Sequence, residues 1–251
     1  MEEYKKEFAL TLAQTGALFF DDGLVLKDGR PTPYFVNMAM FRTGRLAIKL
    51  GSFYAGMMAS QGLVEKTDII MGPSYKGSSI ALATAVALWQ DYGKELLFDY
   101  DRKEAKTHGE ASSTKSLLVN RSLFEDCRVF IVDDVATSMA TKIDLLDKLK
   151  AEADALRIHY EVVGVGIGVD REQTTAVYDE QGKVKVGDKG VNAIEEFVKE
   201  TGVRVFPVAR ISEVVRFLYE ARVPVRIKDQ MRPIDGSTKA GFDKYLEMYG
   251  V

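Results

Sequence analysis

Apolar positions along this chain recur at two spacings, and each spacing predicts an element. Residues 2–18 read as a helix with Phe8, Leu12 and Leu18 on one face. Residues 19–26 read as a strand with an Asp21-Asp22-Gly23 turn. Lys27-Asp28-Gly29-Arg30-Pro31 is a strong turn signal, and Tyr34-Phe35-Val36 continues as strand. Residues 45–61 set Leu46, Leu50, Phe53, Tyr54, Met57 and Met58 on one helical stripe, a core pattern rather than a cofactor box.

A strand–loop–helix unit then repeats. Ile69-Ile70-Met71 leads through Gly72-Pro73-Ser74-Tyr75-Lys76-Gly77 into a helix over 78–90, whose apolar run 80–89 reads as buried against a sheet. Leu96-Leu97-Phe98 begins the next strand, and residues 100–115 are polar and charged. Val129-Phe130-Ile131-Val132 ends in Asp133-Asp134, and beyond a loop of small and hydroxyl residues Ile143, Leu145, Leu146 and Leu149 recur at helical spacing. A glycine-interrupted strand over 162–169 ends at Asp170-Arg171. Residues 178–190 suggest an exposed hairpin or loop, a helix follows near 191–200, and a strand covers 203–208. Helices are predicted over 211–221 and 239–249. Strands alternating with helices imply an α/β fold, a mostly parallel sheet covered on both faces. No linker composition divides residues 1–251, which read as one domain with an N-terminal flap over 1–45.

Composition narrows the function classes. A formal net charge of -3 supplies no global basic field, so nucleic acid is not expected as a partner. The single Cys127 excludes an internal disulfide and a multi-cysteine metal site, and core packing just before the strand is its expected role. Two histidines, His108 and His159, argue against a His-rich metal centre. The charged N-terminus lacks a signal-peptide core, and the 80–89 run is too short for a membrane span, so a cytoplasmic protein is the expectation.

Candidate chemistry gathers at the strand ends. Asp133 and Asp134 sit where ligands bind in open α/β sheets, beside a loop that opens a helix. Two readings fit: a phosphate cradle with acceptors for sugar hydroxyls, or a polar strand end running into a capped helix. The 72–77 turn can bring backbone and Lys76 to an anion, although most such turns are only turns. The stretch Arg102-Lys103-Glu104-Ala105-Lys106-Thr107-His108 alone reads as a solvated charged loop. Beside two phosphate-type strand ends it suits a highly anionic substrate such as a diphosphate.

These blocks resemble, in order, those of the orotate phosphoribosyltransferases, a branch of the type I phosphoribosyltransferases. Leu26-Lys27-Asp28-Gly29-Arg30 with Pro33-Tyr34-Phe35 resembles the flap over orotate, and 72–77 resembles the diphosphate loop. Residues 102–110 resemble the catalytic loop, the most specific block; 130–141 resemble the superfamily signature; Asp170-Arg171-Glu172 resembles a substrate-contacting turn. The resemblance implies transfer of phosphoribosyl from 5-phosphoribosyl 1-diphosphate to orotate. It implies orotate contacts from Lys27, Phe35, Thr137 and Arg171. It implies diphosphate contacts from Lys27, Tyr75, Lys76, Arg102, Lys103, Lys106 and His108. Asp133 and Asp134 would hold the ribose hydroxyls, and the loop Val135, Ala136, Thr137, Ser138, Met139, Ala140, Thr141 would cradle the sugar diphosphate at its 5-phosphate. Lys106, Asp133 and Asp134 form the implied catalytic set. Magnesium is implied as cofactor, carried mainly by the diphosphate substrate rather than by protein ligands. A homodimer sharing the catalytic loop is implied as well.

The chain departs from the family pattern at four places. Met139 and Ala140 stand where glycine and threonine are usual, Val36 where a second aromatic is common, fewer glycines follow His108, and 173–192 reads as an insertion. Two alternatives compete. A phosphoribosyltransferase for another base is disfavoured by the flap and Arg171. A non-catalytic regulator that senses the sugar diphosphate is disfavoured by the retained cations and the want of a basic or winged-helix segment.

Overall fold

The computed structural model describes residues 1–103, 116–135 and 139–251. It opens with α1 (Glu3–Gln14), β1 (Leu18–Val25), β2 (Pro31–Val36) and α2 (Gly44–Ser60). Next come β3 (Ile69–Gly72), α3 (Lys76–Tyr92), β4 (Leu97–Tyr100), β5 (Cys127–Val135) and α4 (Ala140–Leu156). Then follow β6 (Tyr160–Asp170), α5 (Ala193–Thr201), β7 (Val205–Arg210) and α6 (Ile211–Glu220). The chain closes with β8 (Pro224–Ile227), β9 (Gln230–Pro233) and α7 (Gly236–Tyr249).

The main sheet runs β4-β3-β5-β6-β7, with every pairing parallel, as the alternation of elements predicts. Its central strands β3, β5 and β6 are apolar through their middles because both faces are covered there. Ile69, Met71, Val129, Ile131, Val165 and Ile167 pack with Leu145 and Leu149 of α4 and Phe197 of α5. Ile70, Phe130, Val132 and Phe206 enter the opposite core with Leu12, Leu50, Ile80 and Val214 of the other helices. Glycines in β6 make room there: a Cβ at Gly164 would lie 2.6 Å from the Phe206 ring, and one at Gly166 2.9 Å from Phe130. Cys127 is the buried first residue of β5, a free thiol as expected.

A second sheet, β2-β1-β8-β9, stands apart from the first. The Asp21-Asp22-Gly23 turn proves to be an irregularity inside β1, whose pairing with β2 slips between Phe20 and Leu24. Sequence patterning assigned nothing to β8 and β9. Each spans four residues and carries charge, and β8 is held by parallel pairing of Arg226 and Ile227 with Phe19 and Phe20. Such pairing is invisible to a local pattern. The α7 residue Phe242 fills this sheet's inner face against Phe20 and Tyr34.

Two further expectations change. Helix α3 is partly exposed rather than wholly buried, since Leu82 and Trp89 are 46% and 58% exposed. Residues 173–192 do hold the expected hairpin, closed by a Tyr178–Val184 bridge, but the stretch also reaches the C-terminus through a Gln173–Gly250 bridge. No described helix is long and apolar enough to cross a membrane.

Candidate active site

Strand pleating sends successive side chains to opposite faces, so Asp133 and Asp134 part at the end of β5. Asp133 falls on the α4 side and forms an ion pair with Lys142 of that helix. Asp134 falls on the α3 side, where Lys76 Nζ lies 2.6 Å from its Oδ2. Each carboxylate therefore meets a lysine from the first turn of the helix covering its face. Thr141 Oγ1 donates to Asp133 Oδ2 at 3.4 Å, and the Tyr54 hydroxyl donates to the Asp133 carbonyl at 2.6 Å. Burial, with the Asp134 and Asp133 charges nearby, holds the Tyr54 phenol well above its ordinary range, so it remains a donor.

The 72–77 loop is pressed onto the same edge. A Cβ at Gly72 would lie 2.0 Å from the Gly77 carbonyl oxygen, so only glycine permits this approach. Ser74 ties the loop to β4's end: its N–H donates to Asp101 Oδ1 at 2.6 Å and its hydroxyl to the Asp101 carbonyl at 2.5 Å. Lys148 closes the cluster at 2.6 Å from Asp101 Oδ2. Arg102 and Lys103 follow directly, and Lys103 Nζ lies 5.9 Å from the centre of the exposed Tyr75 ring.

A cleft of about 640 Å³ opens beside Asp134. Of the residues singled out from sequence, it collects Lys27, Phe35, Lys76, Asp134, Val135 and Arg171. Asp133 in β5, Thr141 in α4, and Tyr75, Arg102 and Lys103 of the strand-end loops lie outside its wall. Met139 has its side chain in the α4-side core and its backbone in the left-handed region, φ 56°, while Ala140 is exposed at the start of α4. Lys106, His108, Ala136, Thr137 and Ser138 lie outside the described residues.

Arg171 is 5% exposed and lies over the Tyr34 ring, 4.8 Å from its centre. Its Nε donates to Gln173 Oε1 at 3.1 Å, whereas Nη2 is buried with no hydrogen-bond partner among the described residues. A buried guanidinium nitrogen left unpaired is costly unless a ligand completes it. Burial raises the Tyr34 phenol to about 12, so this ring stays neutral beneath the guanidinium.

Several wall residues escaped sequence reasoning. Thr175, Ala176 and Tyr178 border the cleft from the stretch read as an insertion, and Arg30 supports it from the flap turn. Lys142 left a signal that went unread: three and seven residues before the buried Leu145 and Leu149, it puts a charge on the apolar stripe of α4.

No family model matches the chain. Among curated relatives, an orotate phosphoribosyltransferase of Bifidobacterium adolescentis is 33% identical over 97% of this chain and 96% of its own length. One from Clostridium acetobutylicum is 33% identical over the full length of both chains. Among solved structures, an orotate phosphoribosyltransferase from Francisella tularensis superposes with a TM-score of 0.69 at 24% identity, over 98% of each chain.

Proposed function

The chain belongs to the orotate phosphoribosyltransferase family, and on that premise we propose how its strand-end cleft serves the transfer. The enzyme is a pentosyltransferase. It moves phosphoribosyl from 5-phosphoribosyl 1-diphosphate to a ring nitrogen of orotate, releasing diphosphate and orotidine 5-phosphate in pyrimidine synthesis. The observation that carries the site assignment is the buried Nη2 of Arg171, which has no partner among the described residues, beside a cleft edged by Lys27 and Phe35. A planar anionic base suits those walls: Arg171 offers a planar fork for a carboxylate or carbonyl, Lys27 a charge, and Phe35 a ring face. Thr137 is proposed as a further orotate contact.

In this reading Asp134 and Asp133 hold the ribose hydroxyls, and the loop from Val135 to Thr141 takes the 5-phosphate at the start of α4. Lys76 pairs with Asp134 yet its side chain is 61% exposed, so it can turn toward diphosphate. Negative charge grows on the leaving diphosphate as the bond to the anomeric carbon lengthens. Preorganised cations stabilise that charge more than they stabilise the ground state. Tyr75, Arg102, Lys103, Lys106 and His108 are proposed for this task. The Lys103–Tyr75 contact and the Ser74–Asp101 hydrogen bonds support it, because they join the base of the cation loop to the diphosphate loop.

Magnesium fits as a companion of the substrate. Asp133 and Asp134 already carry lysines, and the three-ligand cluster Glu125, Asp126 and His159 lies at the amino ends of β5 and β6, the opposite edge. The ion would be held chiefly by the diphosphate substrate and would supply charge neutralisation there. We also propose a homodimer that shares the cation loop, one domain with a flap over 1–45, and a cytoplasmic setting, in keeping with the single buried thiol of Cys127.

The test follows loss of orotate absorbance on adding enzyme, magnesium and phosphoribosyl diphosphate, with uracil, adenine and hypoxanthine as parallel acceptors. Consumption of orotate alone is the expected result. Turnover of another base, or binding of the sugar diphosphate without turnover, would overturn the reading.

A further inference from the structure

Lys142 has no part in the roles above, and its surroundings are unusual for a lysine. It lies in the first turn of α4 with its side chain only 4% exposed. There the ammonium forms an ion pair with Asp133 Oδ2 and donates to the Val135 carbonyl at 2.9 Å. A buried ammonium is tolerated only where its charge is met, and here Asp133 supplies the opposite charge while the two acceptors take two of its three N–H donors. The neighbouring pair is built differently, since Lys76 is largely in solvent and free to exchange Asp134 for a ligand. Lys142 has no such freedom. It fixes one carboxylate of the two and at the same time anchors the backbone where β5 turns into the phosphate loop.

We infer that Lys142 is a positioning residue for the sugar-diphosphate site, cancelling the charge of Asp133 and holding the strand end in the shape that admits a polyanion. The inference rests on the proposed reading of this edge as the sugar-diphosphate site. Its physical basis is plain. Two adjacent carboxylates repel a substrate carrying several negative charges, and the repulsion is strong where water is excluded. Lys76 relieves it from the solvent side and Lys142 from beneath.

The test is a double-mutant cycle on phosphoribosyl diphosphate binding with magnesium, followed by calorimetry, in the wild type, Lys142→Met, Asp133→Asn and the double variant. Lys142→Met is expected to weaken binding at least about tenfold on the wild-type background and by less than about threefold on the Asp133→Asn background. Kinetics supply a second readout. KM for the sugar diphosphate should rise while KM for orotate holds, whereas a purely structural lysine would lower only the active fraction and leave both. Equal losses on the two backgrounds, or unchanged binding, would overturn the inference. Should Lys142→Met not fold, Lys142→Gln decides: at least about tenfold weaker binding in a folded variant supports the inference, and unchanged affinity overturns it. Failure of the wild type to bind the sugar diphosphate would instead defeat the reading of the cleft.

Discussion

On the strand-end side of the cleft, Asp133, Asp134, Thr141 and Lys142 all come from one strand–loop–helix unit. On the flap side, a single buried guanidinium gathers three distant stretches. Arg30, 2% exposed, donates from Nε and Nη2 to Asp28 Oδ2 at 3.0 and 2.6 Å, and from Nη1 to the Thr174 carbonyl at 2.7 Å. Its guanidinium also lies 5.5 Å from the centre of the Tyr249 ring. Tyr178 reaches back to the Asp28 carbonyl at 3.2 Å, and Gln173 Oε1 accepts from both Arg171 and Tyr245. The geometry of the first side, which borders the cleft through Asp134, follows from strand pleat and helix start. The second is only as stable as its hub. The wall proposed for the sugar diphosphate is thus local, and the wall proposed for the base is assembled.

That contrast can be broken or sharpened by experiment. The largest effect is expected for Lys106→Ala, which should lower kcat by about 10²–10³ through lost stabilisation of the leaving group, with the melting temperature unchanged. Steady-state turnover checks it, and an unaltered kcat would remove Lys106 from the mechanism. Arg30→Met should cost about 1–3 kcal/mol of stability, because it removes the guanidinium bonds to the partly exposed Asp28 carboxylate and leaves the Thr174 carbonyl without this donor. It should raise KM for orotate more than KM for the sugar diphosphate. Equal rises in both would show that the two walls are not independent.

Met139→Gly sets two terms against each other on the strand-end side. Relief of the left-handed backbone gains about 1 kcal/mol, while deleting a buried methionine side chain costs about 2–5 kcal/mol. Denaturant titration should therefore find a net loss of about 1–4 kcal/mol despite the favourable backbone change. The smallest effect concerns pH. Burial alone would raise the Asp28 carboxyl, but the hydrogen bonds and charge of Arg30 outweigh it and hold it below its ordinary value. A carboxyl depressed in the folded state adds stability above its unfolded value of about 4 and loses it as pH falls through the lower folded value. Stability measured from pH 5 down to 3 should fall less steeply in Asp28→Asn than in the wild type. Parallel curves would show that this pair does not contribute.

The five-stranded sheet was legible because each strand–helix unit carries its own period, and the strand-end carboxylates were legible because the apolar run stops at them. The hairpin of β8 and β9 was not, since Pro224–Ile227 alternates exposed and buried residues over too short a span to stand out. The role of 173–178 was hidden for another reason. Its polar residues look like solvated loop until the flap turn and the end of α7 close around them.

By itself, then, the sequence determined the alternation of strands and helices, the two faces of the sheet, and the carboxylates that end its central strand. Each of these follows from side-chain spacing within a few residues. Only the tertiary structure decided that Arg30 would join the flap to Thr174, that β8 would extend the flap sheet, and that Lys142 would turn inward to Asp133. Those outcomes depend on which buried polar groups must find partners, and the partners stand far apart in the chain or on a neighbouring element.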